Sequence, residues 1–204
     1  LRTKAGGDEV PHVLVMTATP IPRTLSLTVF GDLDVSTIRE LPPGRAPVIT
    51  RAVPPTKSED VYRYVAERLG DGEQAYVVVP VIDESASGLT DLTSHLETLR
   101  NGPFAEHRVE AVHGRLDSAE RERIMRDFQA GTIDVLVATT VIEVGVDVPA
   151  ATMIVIEHAE RFGLAQLHQL RGRVGRGEER GLCVLIAAPT CLLYTSPSPR
   201  DLWI

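Results

Sequence analysis

Short, mostly apolar runs recur along this chain and alternate with stretches of helical periodicity. They are VLVM at 13–16, PVITRAV at 47–53, AYVVVPVI at 75–82, VEAV at 109–112, DVLVA at 134–138, TMIVIE at 152–157 and LCVLIAA at 182–188. A strand that is apolar on both faces has to be covered on both faces, and helices between successive strands supply the cover. The pattern therefore predicts an α/β fold, a parallel β-sheet with helices on both faces. Ligands on such sheets bind at the carboxyl ends of strands. HGR at 113–115, TTVIEVGVD at 139–147 and QLRGRVGRG at 169–177 are polar or Gly-rich, follow strands, and are expected on that edge.

The helical patterns have start signals. Pro22 suits the first turn of a helix through about Phe30. Ser58 is expected to cap a helix with Val61, Tyr62, Val65 and Leu69 on one face. Leu89, Leu92, Leu96 and Leu99 recur at helical spacing. Asp117 with Glu120 resembles a capping box before the apolar residues Ile124, Met125 and Phe128. Pro80 is expected to mark the end of its strand.

Two seams stand out. LPPGRAP at 41–47 holds three prolines and a glycine and reads as an interdomain linker. The tail from about Thr190, including YTSPSPRD, has no periodicity and reads as disordered. The expected layout is the end of one domain at 1–41, a linker at 42–47, a second domain at 48–188 and a tail at 189–204.

Composition narrows the function classes. The net charge of −7 argues against a protein that coats nucleic acid, yet leaves room for a local basic groove. The two cysteines, Cys183 and Cys191, have no metal spacing and no disulfide framework, which fits a reducing cytoplasm. No apolar run is long enough to span a membrane, and no membrane partner is expected.

Three segments carry chemistry. In TATPIPR, 17–23, hydroxyls follow a strand and can meet a ligand or a neighbouring domain, or the segment is a plain strand-to-helix turn with Thr19 as a cap. In DVLVATTVIEVGVDVP, 134–149, the Thr139 hydroxyl or backbone N–H can hold a phosphate oxygen. There Gly145 permits close approach and Asp147 can accept from a ribose, or the segment is a loop with a capping Asp. In QLRGRVGRG, Arg173 and Arg176 are three apart, so on a helix they share one face. Guanidinium forks suit phosphate oxygens and stay charged, though a solvated basic helix is the simpler alternative. His12, His95 and His107 show no ligand spacing and read as surface or helix histidines. His158 and His168 read as structural, and Glu143 as a polar contact. Asp8, Glu9 and His12 give D-E-x-x-H after KAGG rather than after an apolar strand, and read as a surface loop.

TATP, HGR, T-x-x-x-x-x-G-x-D and Q-x-x-G-R-x-x-R occur in this order. The set resembles the second half of the superfamily-2 helicase motor. MTATPIPRTL, DLDV, ELPPGR, VHGR, LVATTVIEVGVDVP and FGLAQLHQLRGRVGRG together resemble, more narrowly, the RecG family of bacterial helicases, over residues 1 to about 188. TATPIPRTL and FGLAQLHQLRGRVGR are shared with the transcription-repair coupling factor, the alternative, whose partner is RNA polymerase. ELPPGR and VATTVIEVGVDVP favour the first.

The resemblance implies a RecA-like helicase carboxy-terminal domain, preceded by the last strand and helix of a first RecA-like domain. It implies a monomeric parent that hydrolyses ATP with Mg²⁺ in the cleft between the two domains and remodels branched DNA such as stalled forks and Holliday junctions. Thr17, Ala18 and Thr19 match the motif that couples hydrolysis to movement. Gln169, Arg173 and Arg176 match the arginine-finger motif, and Gly145 and Asp147 the part near nucleotide and ribose. Thr139 matches a nucleic-acid backbone contact, His113 and Gly114 a motif near the DNA path, and Arg171 is expected to touch DNA or solvent.

G-x-x-x-x-G-K-[ST], the phosphate cradle, does not occur in the chain. The phosphate and metal ligands are therefore expected mostly outside it, and the chain is expected to be an inactive fragment, at best a DNA-binding half-site. CLLYTSPSPRD at 191–201 is similar to a translated sequencing-library adapter, so Cys191 and Trp203 are expected to carry no function.

Overall fold

A computed structural model describes residues 36, 47–80, 86–139, 148–175, 177 and 179–188, with backbone alone for 86–91. The chain divides into two units, Leu1–Ile38 and Arg39–Ile204. Only Ser36 of the first is among the described residues. The expected strand at 13–16, the helix from Pro22, the linker apart from Pro47 and the tail all lie outside them.

The second unit carries six strands and four helices among the described residues. In chain order they are β1 (Ile49–Val53), α1 (Ser58–Gly70), β2 (Gln74–Val78), α2 (Ala86–Asn101), β3 (Val109–Val112), α3 (Ser118–Gln129), β4 (Val135–Ala138), β5 (Ala151–Ile156), α4 (Leu164–Arg171) and β6 (Leu182–Ile186). The sheet order is β1-β6-β5-β2-β4-β3, and all five pairings are parallel. The α/β expectation is met. No helix among the described residues is long and apolar enough to cross a membrane.

The period of two in each strand sorts the core into two layers. Tyr76, Val78, Leu136, Ala138, Ile154, Ile156, Cys183 and Leu185 pack with α3 and α4. Ala75, Val77, Val135, Val137, Met153, Val155, Val184 and Ile186 pack with α1 and α2. Each aliphatic side chain so buried contributes about 1.5–3 kcal/mol. Few aromatics are needed. Phe128 packs on Tyr76 with ring centroids 5.0 Å apart, and Phe104 meets Tyr62 edge-on at 5.6 Å.

The caps were only partly foreseen. Asp117 accepts from the Glu120 backbone N–H at 2.8 Å and starts α3. Ser58 is not a cap. A 3₁₀ turn, Pro55–Lys57, runs straight into α1, so Lys57 occupies the cap position and Ser58 is already helical. Strand β2 stops at Val78, two residues before Pro80, the expected end, although Val79 N–H still donates to Ala138 O at 2.9 Å.

Candidate functional site

The register places one row of residues at the carboxyl ends of the strands. Val112 pairs with Ala138, Ala138 with Val78, Val78 with Ile156 and Ile156 with Leu185. The next residues, His113, Thr139, Val79, Glu157 and Ile186, therefore form a line across the sheet. Two of the expected site residues, His113 and Thr139, stand on it together.

Thr139 is buried, and its N–H donates to Val112 O at 3.3 Å. His113 is half-buried and lies in a turn closed by Leu116 N–H donating to His113 O at 3.2 Å. Arg121 of α3 braces the turn, donating to Leu116 O at 3.2 Å and Gly114 O at 3.4 Å. Burial, then Arg115 and Arg121, lower the His113 pKa. Its imidazole is therefore neutral at physiological pH, and the local positive charge comes from Arg115 and Arg121. Its Nδ1 is buried without a hydrogen-bond partner.

The arginine stretch lies elsewhere. Helix α4 intervenes between β5 and this stretch and buries Leu167 and Leu170 against the sheet. It returns the chain toward the strands' amino ends. Gly175 there sits against Val48 and Gly181, which immediately precede β1 and β6, and Gly177 sits against Pro149, just before β5. The expectation that all three polar segments share the carboxyl edge is corrected. An eight-residue helix spans about 12 Å and carries the arginine segment to the opposite edge.

The helical-face argument for Arg173 and Arg176 also fails. The helix ends at Arg171 with Gly172 as its C-cap, and Arg173 lies in the following turn, half-buried, its N–H donating to Leu170 O at 3.0 Å. Gln169 is exposed on α4. Arg171 is half-buried and donates to Val48 O at 3.4 Å, a tie within the protein at the helix's negative end. Arg176, Gly145, Asp147, Thr17, Ala18 and Thr19 lie outside the described residues, as do Glu143 and His12. Val148, the residue after Asp147, is buried at the entry to β5, near the arginine edge.

Sequence reading passed over one cluster on the carboxyl edge. Glu157 N–H donates to Val78 O at 2.9 Å. Its side chain meets Tyr62 of α1, whose hydroxyl donates to Glu157 Oε1. His95 Nε2 of α2 stands 3.0 Å from the same oxygen without completing a hydrogen bond. His95 is indeed a helix histidine, but it is packed against an acid rather than facing solvent alone. Burial pushes the Glu157 carboxyl up to about 7. Burial, then His158, lowers the His95 pKa. The one available signal was a lone acid closing the apolar run TMIVIE.

This carboxyl has a consequence for stability. Its ordinary value is 4.5 and its folded value about 7, so the folded chain binds more protons between those two pH values. The contribution of the protonated carboxyl is complete below about pH 4.5 and is lost as pH rises to about 7, where the curve flattens. The difference of about 2.5 units corresponds to about 3 kcal/mol. Subtracting the chemical-denaturation curve of Glu157→Gln from that of the parent chain isolates this slope. A pH-independent difference would contradict the assignment.

The family model of the helicase conserved C-terminal domain matches residues 56–178, which run from α1 through the arginine stretch. ATP-dependent DNA helicase RecG of Treponema pallidum is 52% identical over 180 residues, covering 87% of this chain and 26% of that protein. The chain thus spans about a quarter of the length of the curated relatives it matches. A solved structure of RecG bound to a three-way DNA junction is 41% identical with a TM-score of 0.72, covering 91% of this chain and 25% of that one. A Saccharomyces cerevisiae Dbp5 variant bound to RNA and ADP BeF3 shares the fold at 19% identity, with a TM-score of 0.56 over 88% of this chain and 48% of that one. The match of that family model to residues 56–178, more than half of this chain, places it in the helicase conserved C-terminal domain family.

Proposed function

We propose that this chain is the carboxy-terminal motor portion of an ATP-dependent helicase that remodels branched DNA. The observation that carries the reading is the likeness, over 91% of the chain, to RecG held on a three-way junction. In this reading residues 1–41 end a first RecA-like domain and 48–188 form the second. The alternative motor, that of the transcription-repair coupling factor, is not supported by the curated relatives described above.

The two edges have separate jobs. On the carboxyl edge, the Thr139 hydroxyl, the His113–Gly114 turn and the neighbouring Arg115 follow the DNA backbone. Phosphate contacts of this kind position a nucleic acid without reading its sequence. Arg173, on the amino edge, is assigned together with Arg176 and Gln169 to the phosphoryl group of ATP, and Asp147 with Gly145 to the nucleotide and its ribose. A guanidinium so placed neutralises charge that develops on the transferred phosphoryl group. Among the described residues no three His, Cys, Asp or Glu side chains converge as a metal site, and no ligand to the Mg²⁺ that accompanies ATP is assigned here.

The test is a graft. Residues 1–188 replace the homologous quarter of Treponema pallidum RecG, and ATP hydrolysis is followed with a three-way junction or with linear duplex. The expected result is turnover stimulated by the junction, while the isolated 204 residues turn over no ATP. A folded graft without junction-stimulated turnover, or hydrolysis by the isolated chain, would contradict the reading.

A further inference from the structure

The chain changes sides of the sheet at one residue. Glu157 faces α1 and α2, where Tyr62 and His95 meet it. Ala159, two residues on, is buried in the opposite layer with α3 and α4. Between them His158 adopts φ 47 and ψ 47, and it is the non-glycine residue with positive φ among the described residues. A left-handed backbone at such a residue persists only where its surroundings over-determine it. On the far side, Ala159–Arg161 form a 3₁₀ turn and Phe162 is buried. Gly163 N–H then donates to Gln166 Oε1 at 3.0 Å, opening α4.

Glu157 is fixed by its backbone bond to β2 and by its side chain between two helices. The Tyr62 ring is itself locked edge-on against Phe104. The other titratable groups around the pair are His158 and Glu160, with His158 Nδ1 3.3 Å from Glu160 Oε1.

We infer that Tyr62, His95 and Glu157 form a positioning clamp that anchors the exit of β5 and thereby orients α4, the strut between the two edges of the sheet. The hydrogen bond and ion pair of the three stay among themselves and do not reach the described residues of 169–177. They act through the crossing at His158 and the helix that follows it. That α4 carries the arginine segment of a motor rests on the proposed function, whereas the order of α4 itself does not. Failure of one is therefore distinguishable from failure of the other.

The test is amide hydrogen exchange on the full 204-residue chain, comparing α4 with α3 as an internal reference. Tyr62→Phe keeps the ring and its packing on Phe104 and removes the donated bond. Glu157→Ala removes the acceptor, and Glu157→Gln keeps it. A buried hydrogen bond of this kind sets local opening by about tenfold. Tyr62→Phe and Glu157→Ala are expected to speed exchange in α4 about tenfold with α3 unchanged, and Glu157→Gln to exchange no faster than the parent. Unchanged α4 in Tyr62→Phe, equal acceleration of α3 and α4, or loss of protection in Glu157→Gln would overturn the clamp. If Glu157→Ala fails to fold, Tyr62→Phe decides alone.

Discussion

Gly175→Ala is expected to destabilise the chain by about 3 kcal/mol, with the summed penalties of a left-handed Cβ and of overpacking as its source. Gly175 has φ +67, and a Cβ there would lie 2.7 Å from Val48 Cγ2 and 3.4 Å from Gly181 Cα and N. The Gly181 backbone cannot retreat cheaply. Ile49 N–H donates to Gly181 O at 2.8 Å, which ties that backbone to β1. Gly181 is just as tight, since a Cβ on it would come within 3.0 Å of Gly175 Cα and N and of Val48 Cγ2. The two glycines thus let the arginine turn lie flat on the entries to β1 and β6. In thermal unfolding, a loss of this size lowers Tm by roughly 10 °C for a chain of this length. Gly114→Ala is the control, because nothing lies within 4 Å of its would-be Cβ and an open surface site costs within about 0.5 kcal/mol. Equal melting of the two variants would contradict the packing described here.

Much of the architecture was legible because it is local. Every described strand overlaps a run read as a strand from the sequence, although β1 carries Thr50 and Arg51 and buries no residue fully, and the alternation of strand and helix points to parallel pairing. The Asp117 cap was legible for the same reason, since donor and acceptor lie three residues apart. Strand order was not legible, and with it went the edge assignment. Nothing in QLRGRVGRG itself says that α4 reverses direction and delivers Arg173 to the amino edge, because the reversal depends on Leu167, Leu170 and Val174 finding the α3–α4 layer. The helical spacing of Arg173 and Arg176 misled for a related reason. Gly172 follows Leu170 and Arg171 as a C-cap, and the chain leaves the helix one residue before the first of the pair. The Glu157 cluster was invisible in sequence because its hydrogen-bonded partners are 95 positions apart, beyond any periodic pattern. Ser58 shows the opposite failure. A good cap residue at the right place went unused because Pro55 had already begun a turn.

Loss of either arginine is expected to be the largest functional effect. A guanidinium that meets charge only as it develops on the phosphoryl group contributes on the order of 10³-fold or more to kcat, with little effect on ATP binding before reaction. Lysine does not replace it, since a point charge cannot reproduce the planar fork. The Arg173 backbone is held by its bond to Leu170 O, so Arg173→Ala removes the guanidinium without releasing the turn. Arg173→Ala and Arg176→Ala in the graft are therefore expected to melt like the unsubstituted graft and to bind the junction as well, yet to hydrolyse ATP far more slowly. By contrast, Thr139→Val is expected to weaken junction binding, because it stands on the other edge.

The most direct measurement is junction-stimulated ATP turnover of the graft with and without Arg176→Ala, at saturating ATP. The account predicts a fall of about 10³-fold in kcat with unchanged melting and unchanged junction affinity. Turnover at the unsubstituted rate in a folded Arg176→Ala graft would contradict it.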